Sequence, residues 1–253
     1  MASGFAPWEH RLSTALSRAL DRLPRGAPIS LLFSGGVDSG LLAWELRSHP
    51  DLTLRTVGLA GSPDLTVGRD AALELHLPWV GVSATESEVL SLLERVGPEV
   101  RDLSPTQRAV ELAFNLAVES APPGPVVCGQ GADELFLGYA HFDGLTGSAA
   151  LARSDRDLEE LQDRVWPRTL RIAGETGREI VAPYLDPDFI AAAHAIPVAE
   201  RLAGPLRKQA LRSWAIRRGV PKSIALRPKR ALQYGTGIDK LLRRKVPHHR
   251  AAS

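Results

Sequence analysis

The chain is predicted to be an α/β protein built on a doubly wound parallel sheet, followed by a helical C-terminal part. Three observations predict this. Short apolar strands alternate with amphipathic helices through roughly the first 148 residues, the pattern of a parallel sheet covered on both faces. The apolar run Ile29-Ser30-Leu31-Leu32-Phe33 leads directly into Ser34-Gly35-Gly36-Val37-Asp38-Ser39-Gly40, so a buried strand ends in a glycine turn that opens a helix. After about Gly147 strand-like runs nearly vanish and helical periodicity takes over. The expected division is 1–148 for the sheet and 149–253 for a helical part that packs against it and completes a cleft.

Trp8, Leu12, Ala15, Leu16, Ala19, Leu20 and Leu23 share one side of a helix over 8–23. The strand 29–33 and a helix over 40–48 follow, then a strand over 52–59, a helix over 67–77 and a strand over 78–82. Helices are expected at 86–95 and 106–119. The short apolar run Pro125-Val126-Val127-Cys128 then enters Gly129-Gln130-Gly131-Ala132-Asp133-Glu134. Beyond Gly147 the periodicity predicts helices over 151–165, 186–195, 205–218 and 237–244, parted by Pro- and Gly-bearing turns. In such sheets ligands sit beyond the carboxyl ends of the strands, where loops 34–39, 58–64 and 129–134 would gather.

Composition bounds the function. With 253 residues at 44% hydrophobic the chain can bury one good core. No run of about eighteen apolar residues occurs, so no membrane span is expected. The first ten residues lack a basic region leading into an apolar stretch, and a cytoplasmic location is expected. One cysteine, Cys128, excludes an internal disulfide and a cysteine-rich metal site. From Arg201 onward the chain holds fifteen of its 31 basic residues and one of its 29 acidic ones, giving +14 there against −12 elsewhere. Such a segment attracts phosphates, or pairs with the acidic body.

The glycine turn carries the first chemical signal. A helix N-terminus offers unpaired N–H groups and the positive end of its dipole. Gly35 and Gly36 let the backbone approach an anion, and Ser34 and Ser39 add hydroxyl donors. A polyphosphate is the expected ligand. A Walker A loop is excluded because no Lys lies in or just after the turn, and a dinucleotide fingerprint because Ser39 falls where its third glycine would need to be. Ser-Gly-Gly-x-Asp-Ser resembles the pyrophosphate (PP) loop of the N-type ATP pyrophosphatases, which split ATP between its α- and β-phosphates. The bland alternative is a turn whose glycines serve only the turn.

The second signal is Gly129-Gln130-Gly131-Ala132-Asp133-Glu134-Leu135-Phe136-Leu137-Gly138-Tyr139, where adjacent acids after a strand suit Mg²⁺ on phosphate oxygens. Alone, such acids more often cap a helix. About ninety residues after the first motif they point further. Ala182-Pro183-Tyr184-Leu185-Asp186, Arg207-Lys208-Gln209-Ala210-Leu211-Arg212 and Arg227-Pro228-Lys229 complete the ordered set, together with Gly58-Leu59-Ala60-Gly61-Ser62-Pro63-Asp64-Leu65. In this set, from about residue 10 to 244, the chain resembles the synthetase domain of glutamine-dependent asparagine synthetases and their β-lactam and carbapenam synthetase relatives.

The resemblance implies an adenine nucleotide α-hydrolase-like, PP-loop fold and an ATP- and Mg²⁺-dependent amide ligase. It implies that Ser34, Gly35, Gly36, Asp38 and Ser39 hold the departing pyrophosphate, and that Val57, Leu59, Cys128 and Gly129 line the adenine and ribose pocket. Asp38, Asp64 and Asp133 would form the metal site. Lys208 would neutralise charge at the α-phosphate and acyl group, with Asp133, Glu134 and Gln130 also catalytic. Arg101 and Lys229 are candidate phosphate contacts, with a surface position an equal reading for Lys229. The partners implied are a small carboxylate, by default aspartate, and ammonia or an amine.

Departures accompany the likeness. No Cys follows Met1, so ammonia is expected from outside the polypeptide, with a separate glutaminase subunit one source. Gln130 stands where asparagine synthetases carry Glu and β-lactam synthetases Tyr, and Gln cannot act as a general base near neutral pH. Val181 stands where the asparagine enzymes carry Arg. Two rivals are an RNA-modifying enzyme that adenylates a tRNA base and a nucleotide-binding regulator without catalysis. Cys128 reads as a small core residue rather than a sulfur carrier. His248 and His249 lie in the tail without partner ligands for zinc. Tyr139 fits either substrate contact or packing.

Overall fold

A computed structural model describes residues 6–228 and 235–245. Five parallel strands form one sheet in the order β3-β2-β1-β4-β5. They are β1 Ile29–Leu32, β2 Leu52–Leu59, β3 Trp79–Ala84, β4 Val126–Val127 and β5 Ile180–Val181. Leu31 lies opposite Leu54 of β2 and Val127 of β4, and Val127 opposite Val181 of β5. The chain builds outward from β1 to β3, then crosses to the other side for β4 and β5. The loops after β1 and β4 therefore flank the point where strand order reverses, the crevice that open α/β sheets use for ligands.

β5 was not expected. It is two residues long and comes from the helical part, too short for an apolar period to register. That part thus contributes a strand to the sheet. The helices are α1 Pro7–Leu20, α2 Val37–Leu46, α3 Pro63–Leu75, α4 Glu86–Arg95, α5 Gly97–Val100, α6 Pro105–Glu119 and α7 Ala132–Leu135. After these come α8 Gly147–Glu160, α9 Trp166–Gly174, α10 Pro187–His194, α11 Val198–Leu202, α12 Gln209–Arg218, α13 Lys222–Ala225 and α14 Ile238–Lys245.

Period two in β2 divides the core. Leu52 and Leu54 face a large cluster with α1, α2, α3, α10 and α12, whereas Val57 and Leu59 face a second with α4, α6 and α14. Helix starts follow local chemistry. Thr85 and Glu88 close a capping box on α4, as Ser104 and Gln107 do on α6. Pro63 begins α3 four residues before the predicted start, because proline is tolerated in a first turn. The predicted helix over 151–165 instead runs from 147, passes through a π turn at Leu161–Val165 and continues as α9. Pro167 interrupts the pattern there without ending the helix, since the wide turn just before it falls where its missing N–H would matter. No helix among the described residues is long and apolar enough to cross a membrane.

Much of the basic C-terminal charge is paired with the acidic body. Arg217 meets Glu9, Arg218 makes a fork of 2.7 and 2.8 Å with Glu45, Arg207 bonds Asp143 and Arg244 bonds Glu86.

Candidate active site at the carboxyl edge of the sheet

The turn after β1 is built as its sequence requires. Gly35 has φ +70°, and a Cβ there would lie 3.0 Å from Arg227 Nη1 and from Val67 O. Glycine thus meets both a left-handed backbone and a close approach. The Ser34 amide donates to Ser39 Oγ at 3.2 Å, the two serine hydroxyls are 3.3 Å apart, and Ser39 Oγ donates to Gly36 O at 3.5 Å. The first helical bond of α2 is Gly40 N to Gly36 O at 2.8 Å. The amides of Val37, Asp38 and Ser39 therefore precede the helical ladder, and such a turn suits an anion.

Beside it stands a compact ionic centre. Lys208 Nζ lies 2.7 Å from Asp38 Oδ2 and 2.9 Å from Asp133 Oδ1, and Lys208 is 2% exposed. Burial acts to lower the ammonium's pKa, but Asp133 and Asp38 outweigh it and the net shift is upward. Three separate segments meet here, each fixed by its own device. Lys208 precedes α12 in a left-handed conformation, φ +61°. A Cβ on Gly138 would lie 2.0 Å from Asp133 Oδ1 and 2.2 Å from Lys208 Cε, so only a bare backbone leaves room. Gly129 packs against Asp38, with a Cβ position 3.3 Å from that of Asp38. The buried Tyr184 hydroxyl donates to Asp38 O at 2.8 Å.

Arg212 and Arg227 join this centre to the glycine turn. Buried Arg212 donates to Arg207 O at 2.7 Å, Ala225 O at 2.6 Å and Arg227 O at 3.0 Å. Arg227 Nη1 then donates to Gly35 O at 3.0 Å and Val67 O at 3.4 Å. Glu134, 5% exposed, accepts the Tyr139 hydroxyl at 2.5 Å. Burial, reinforced by Asp133, pushes its carboxyl up to about 7. Tyr139 is thus packed against the site's own acid, and burial raises its phenol far above the usual range.

The predicted site residues divide into those brought together and those placed apart. Ser34, Gly35, Gly36, Asp38, Ser39, Gly129, Asp133 and Lys208 converge as described. Gln130 is half-buried in the loop between β4 and α7. Val57 and Leu59 lie at the carboxyl end of β2, where the Leu59 amide donates to Thr236 O at 2.8 Å. Cys128 is buried, and burial pushes its thiol up to about 12. Asp64 sits in the first turn of α3 with its carboxylate against Gly235, whose Cβ would lie 1.8 Å from Asp64 Oδ1. Arg101 is exposed just after α5, its carbonyl accepting from Arg108 of α6. Lys229, His248 and His249 lie outside the described residues.

Among the described residues no three His, Cys, Asp or Glu side chains are grouped to hold a metal. The Asp38–Asp133 pair nevertheless fits Mg²⁺, because Asp38 Oδ1 is buried without a hydrogen-bond partner. Magnesium is usually held by one or two carboxylates, with phosphate oxygens and water completing the shell.

Sequence reasoning did not single out Arg227, Arg212, Tyr184 or Gly138 as site residues. Each lies inside a quoted motif, but its role is to position a neighbour, which only the packing reveals. A cavity of about 320 Å³ lined by Arg95, Glu119, Glu175, Thr176 and Arg178 is separate. It joins the last turn of α6 to the approach to β5, at the opposite edge of the sheet.

The asparagine synthase family model matches residues 11–174 and 156–252. Asparagine synthetase (glutamine-hydrolyzing) 1 of Arabidopsis thaliana is 27% identical over 243 residues, covering 87% of this chain and 41% of that protein. The Zea mays asparagine synthetase (glutamine-hydrolyzing) is 28% identical over 247 residues, again covering 87% and 41%. The chain thus spans about two fifths of the length of these relatives. Among solved structures, an NH3-dependent NAD synthetase from Campylobacter jejuni in complex with nitrate aligns at 15% identity, covering 79% of this chain and 98% of that one, with a TM-score of 0.36. On the extent of the family match, the chain belongs to the asparagine synthase family.

Proposed function

We propose that the protein is an ATP-dependent amide ligase that works through an acyl-adenylate. A substrate carboxylate oxygen attacks the α-phosphorus of ATP and the α–β bridging P–O bond breaks, releasing pyrophosphate. A nitrogen nucleophile then attacks the acyl carbon, the bond to AMP breaks and the nitrogen loses a proton. Aspartate with ammonia is the default substrate pair.

The observation that carries this reading is Lys208, a buried ammonium held between Asp38 and Asp133 beside the Ser34–Ser39 turn. Turn amides and serine hydroxyls would bind the β- and γ-phosphates. Lys208 would face the charge that grows on the α-phosphate, where removing one such donor costs about 10²–10³ in rate. Mg²⁺ held by Asp38 and Asp133 would supply neutralisation of the leaving pyrophosphate. Asp64 remains a candidate ligand for the same metal, and Lys229 a candidate contact for the phosphates. The pairing of Arg207, Arg217, Arg218 and Arg244 with acids counts against an open track for tRNA.

The test is pyrophosphate release from ATP and Mg²⁺ with a panel of amino acids, with AMP identified as the nucleotide product. Asp38→Ala should abolish the release. Formation of ADP, or an unaffected Asp38→Ala, would refute the assignment, and tRNA-stimulated AMP formation would favour the RNA-modifying alternative.

A further inference from the structure

Two carboxylates that share a part-buried position repel one another unless a cation lies between them. In this protein that position is filled from within, since the Lys208 ammonium is within hydrogen-bond distance of both Asp38 Oδ2 and Asp133 Oδ1. We infer that Lys208 is an internal counter-ion that occupies the divalent-cation position in the ligand-free protein, so that the metal enters only together with a triphosphate. The inference rests on the nucleotide-site reading above and adds an order of binding to it.

Charge supplies the first reason. Two carboxylates and one ammonium sum to −1. A bare divalent cation added to these three groups would make them +1 in a part-buried position, with the ammonium a few ångströms away and the guanidinium groups of Arg207 and Arg212 also nearby. A polyphosphate brings enough negative charge to hold both the metal and the displaced ammonium.

Geometry supplies the second. The Lys208 stem is closely packed, with Cε 2.2 Å from where a Cβ on Gly138 would be, so the ammonium leaves the carboxylates by turning about the end of the stem. Asp38 presents one oxygen to the ammonium while the other, Oδ1, is buried and unpaired. A metal would use Oδ1 as a further ligand atom, and gains the facing oxygens of both carboxylates only when the Lys208 ammonium gives them up. A phosphate oxygen is the group best suited to receive the ammonium as it leaves.

The experiment uses the full chain and Mn²⁺ as probe, with free Mn²⁺ followed by electron paramagnetic resonance. Wild type should bind Mn²⁺ alone at least tenfold more weakly than Lys208→Met, which keeps the stem and removes the charge. Adding α,β-methylene-ATP to wild type should tighten Mn²⁺ uptake at least tenfold beyond what the analogue binds in solution. If circular dichroism shows Lys208→Met unfolded, Lys208→Gln replaces it, and the wild-type comparison with and without analogue stands on its own. Equal Mn²⁺ affinity for wild type and variant, or wild-type uptake indifferent to the analogue, would overturn the inference. Failure to take up the analogue at all would instead sink the nucleotide reading, and it is told apart because the metal-only comparison uses no nucleotide.

Discussion

Replacing Gly138 by Ala tests the ionic centre without removing any charge from it. The added methyl would sit 2.0 Å from Asp133 Oδ1 and 2.2 Å from Lys208 Cε, where ordinary contact begins near 3.4 Å. To clear it, Asp133 Oδ1 must withdraw by about 1.4 Å (3.4 less 2.0) and Lys208 Cε by about 1.2 Å (3.4 less 2.2). Neither is a loose surface group, because Lys208 is buried and its ammonium is tied at 2.7 and 2.9 Å. The withdrawal breaks at least one of those bonds, and a hydrogen bond to a charged group contributes about 1.5–3 kcal/mol. For a chain of this size each kcal/mol moves the melting temperature by about 2–4 °C, so a loss near the middle of that range lowers it by roughly 4.5–9 °C. Catalysis is the more sensitive readout, since a misplacement of about 1 Å at a reacting centre costs on the order of 10²-fold. The assay is amino-acid-dependent pyrophosphate release, run beside circular dichroism to confirm folding. A folded Gly138→Ala protein working within threefold of the parent would refute the placement of Lys208 at the reacting phosphate.

Arg227→Ala removes the guanidinium that donates to Gly35 O and Val67 O. Two such bonds, at about 0.5–1.5 kcal/mol each, imply roughly a tenfold rise in KM for ATP with little change in kcat, partly restored in Arg227→Lys. Glu134 gives a pH dependence of definite sign. Its carboxyl, at 4.5 in the unfolded chain and about 7 in the fold, keeps a proton that the unfolded chain has lost between those values. Stability therefore falls as pH rises through that window, by about 3 kcal/mol in all. Urea titrations of Glu134→Gln at pH 5 and 7.5 should show a shallower dependence than wild type, while burial of Glu111 leaves some slope of the same sign. An identical slope in variant and parent would count against it. Cys128, buried with its thiol raised to about 12, should react with Ellman's reagent only on addition of denaturant, and rapid labelling of the native protein would contradict that.

The parts of the fold that were legible in the sequence are those where a local rule suffices. β2 falls where its apolar run places it, and α4 starts and stops where Thr85 and the 3.6-residue period put it. The glycine turn after β1 was readable as an anion site because its amides, glycines and serines are neighbours along the chain. Less legible were the helix starts at Val37, Pro63 and Gln209. Gly36 and Ser62 act as caps without a side-chain bond, and the left-handed backbone at Lys208 has no local sequence signal.

What the sequence determined by itself is the parallel α/β architecture and the membership of each motif, because strand period, turn chemistry and capping act within a few residues. What the tertiary structure alone decided is which motifs touch. It brought Lys208 to Asp38 across 170 positions of chain, turned Asp64 against Gly235, left Arg101 exposed and recruited two residues of the helical part as a fifth strand. The physical reason is that a buried charge must find its opposite wherever the packing presents one. That search is settled by the whole core, not by the residues on either side.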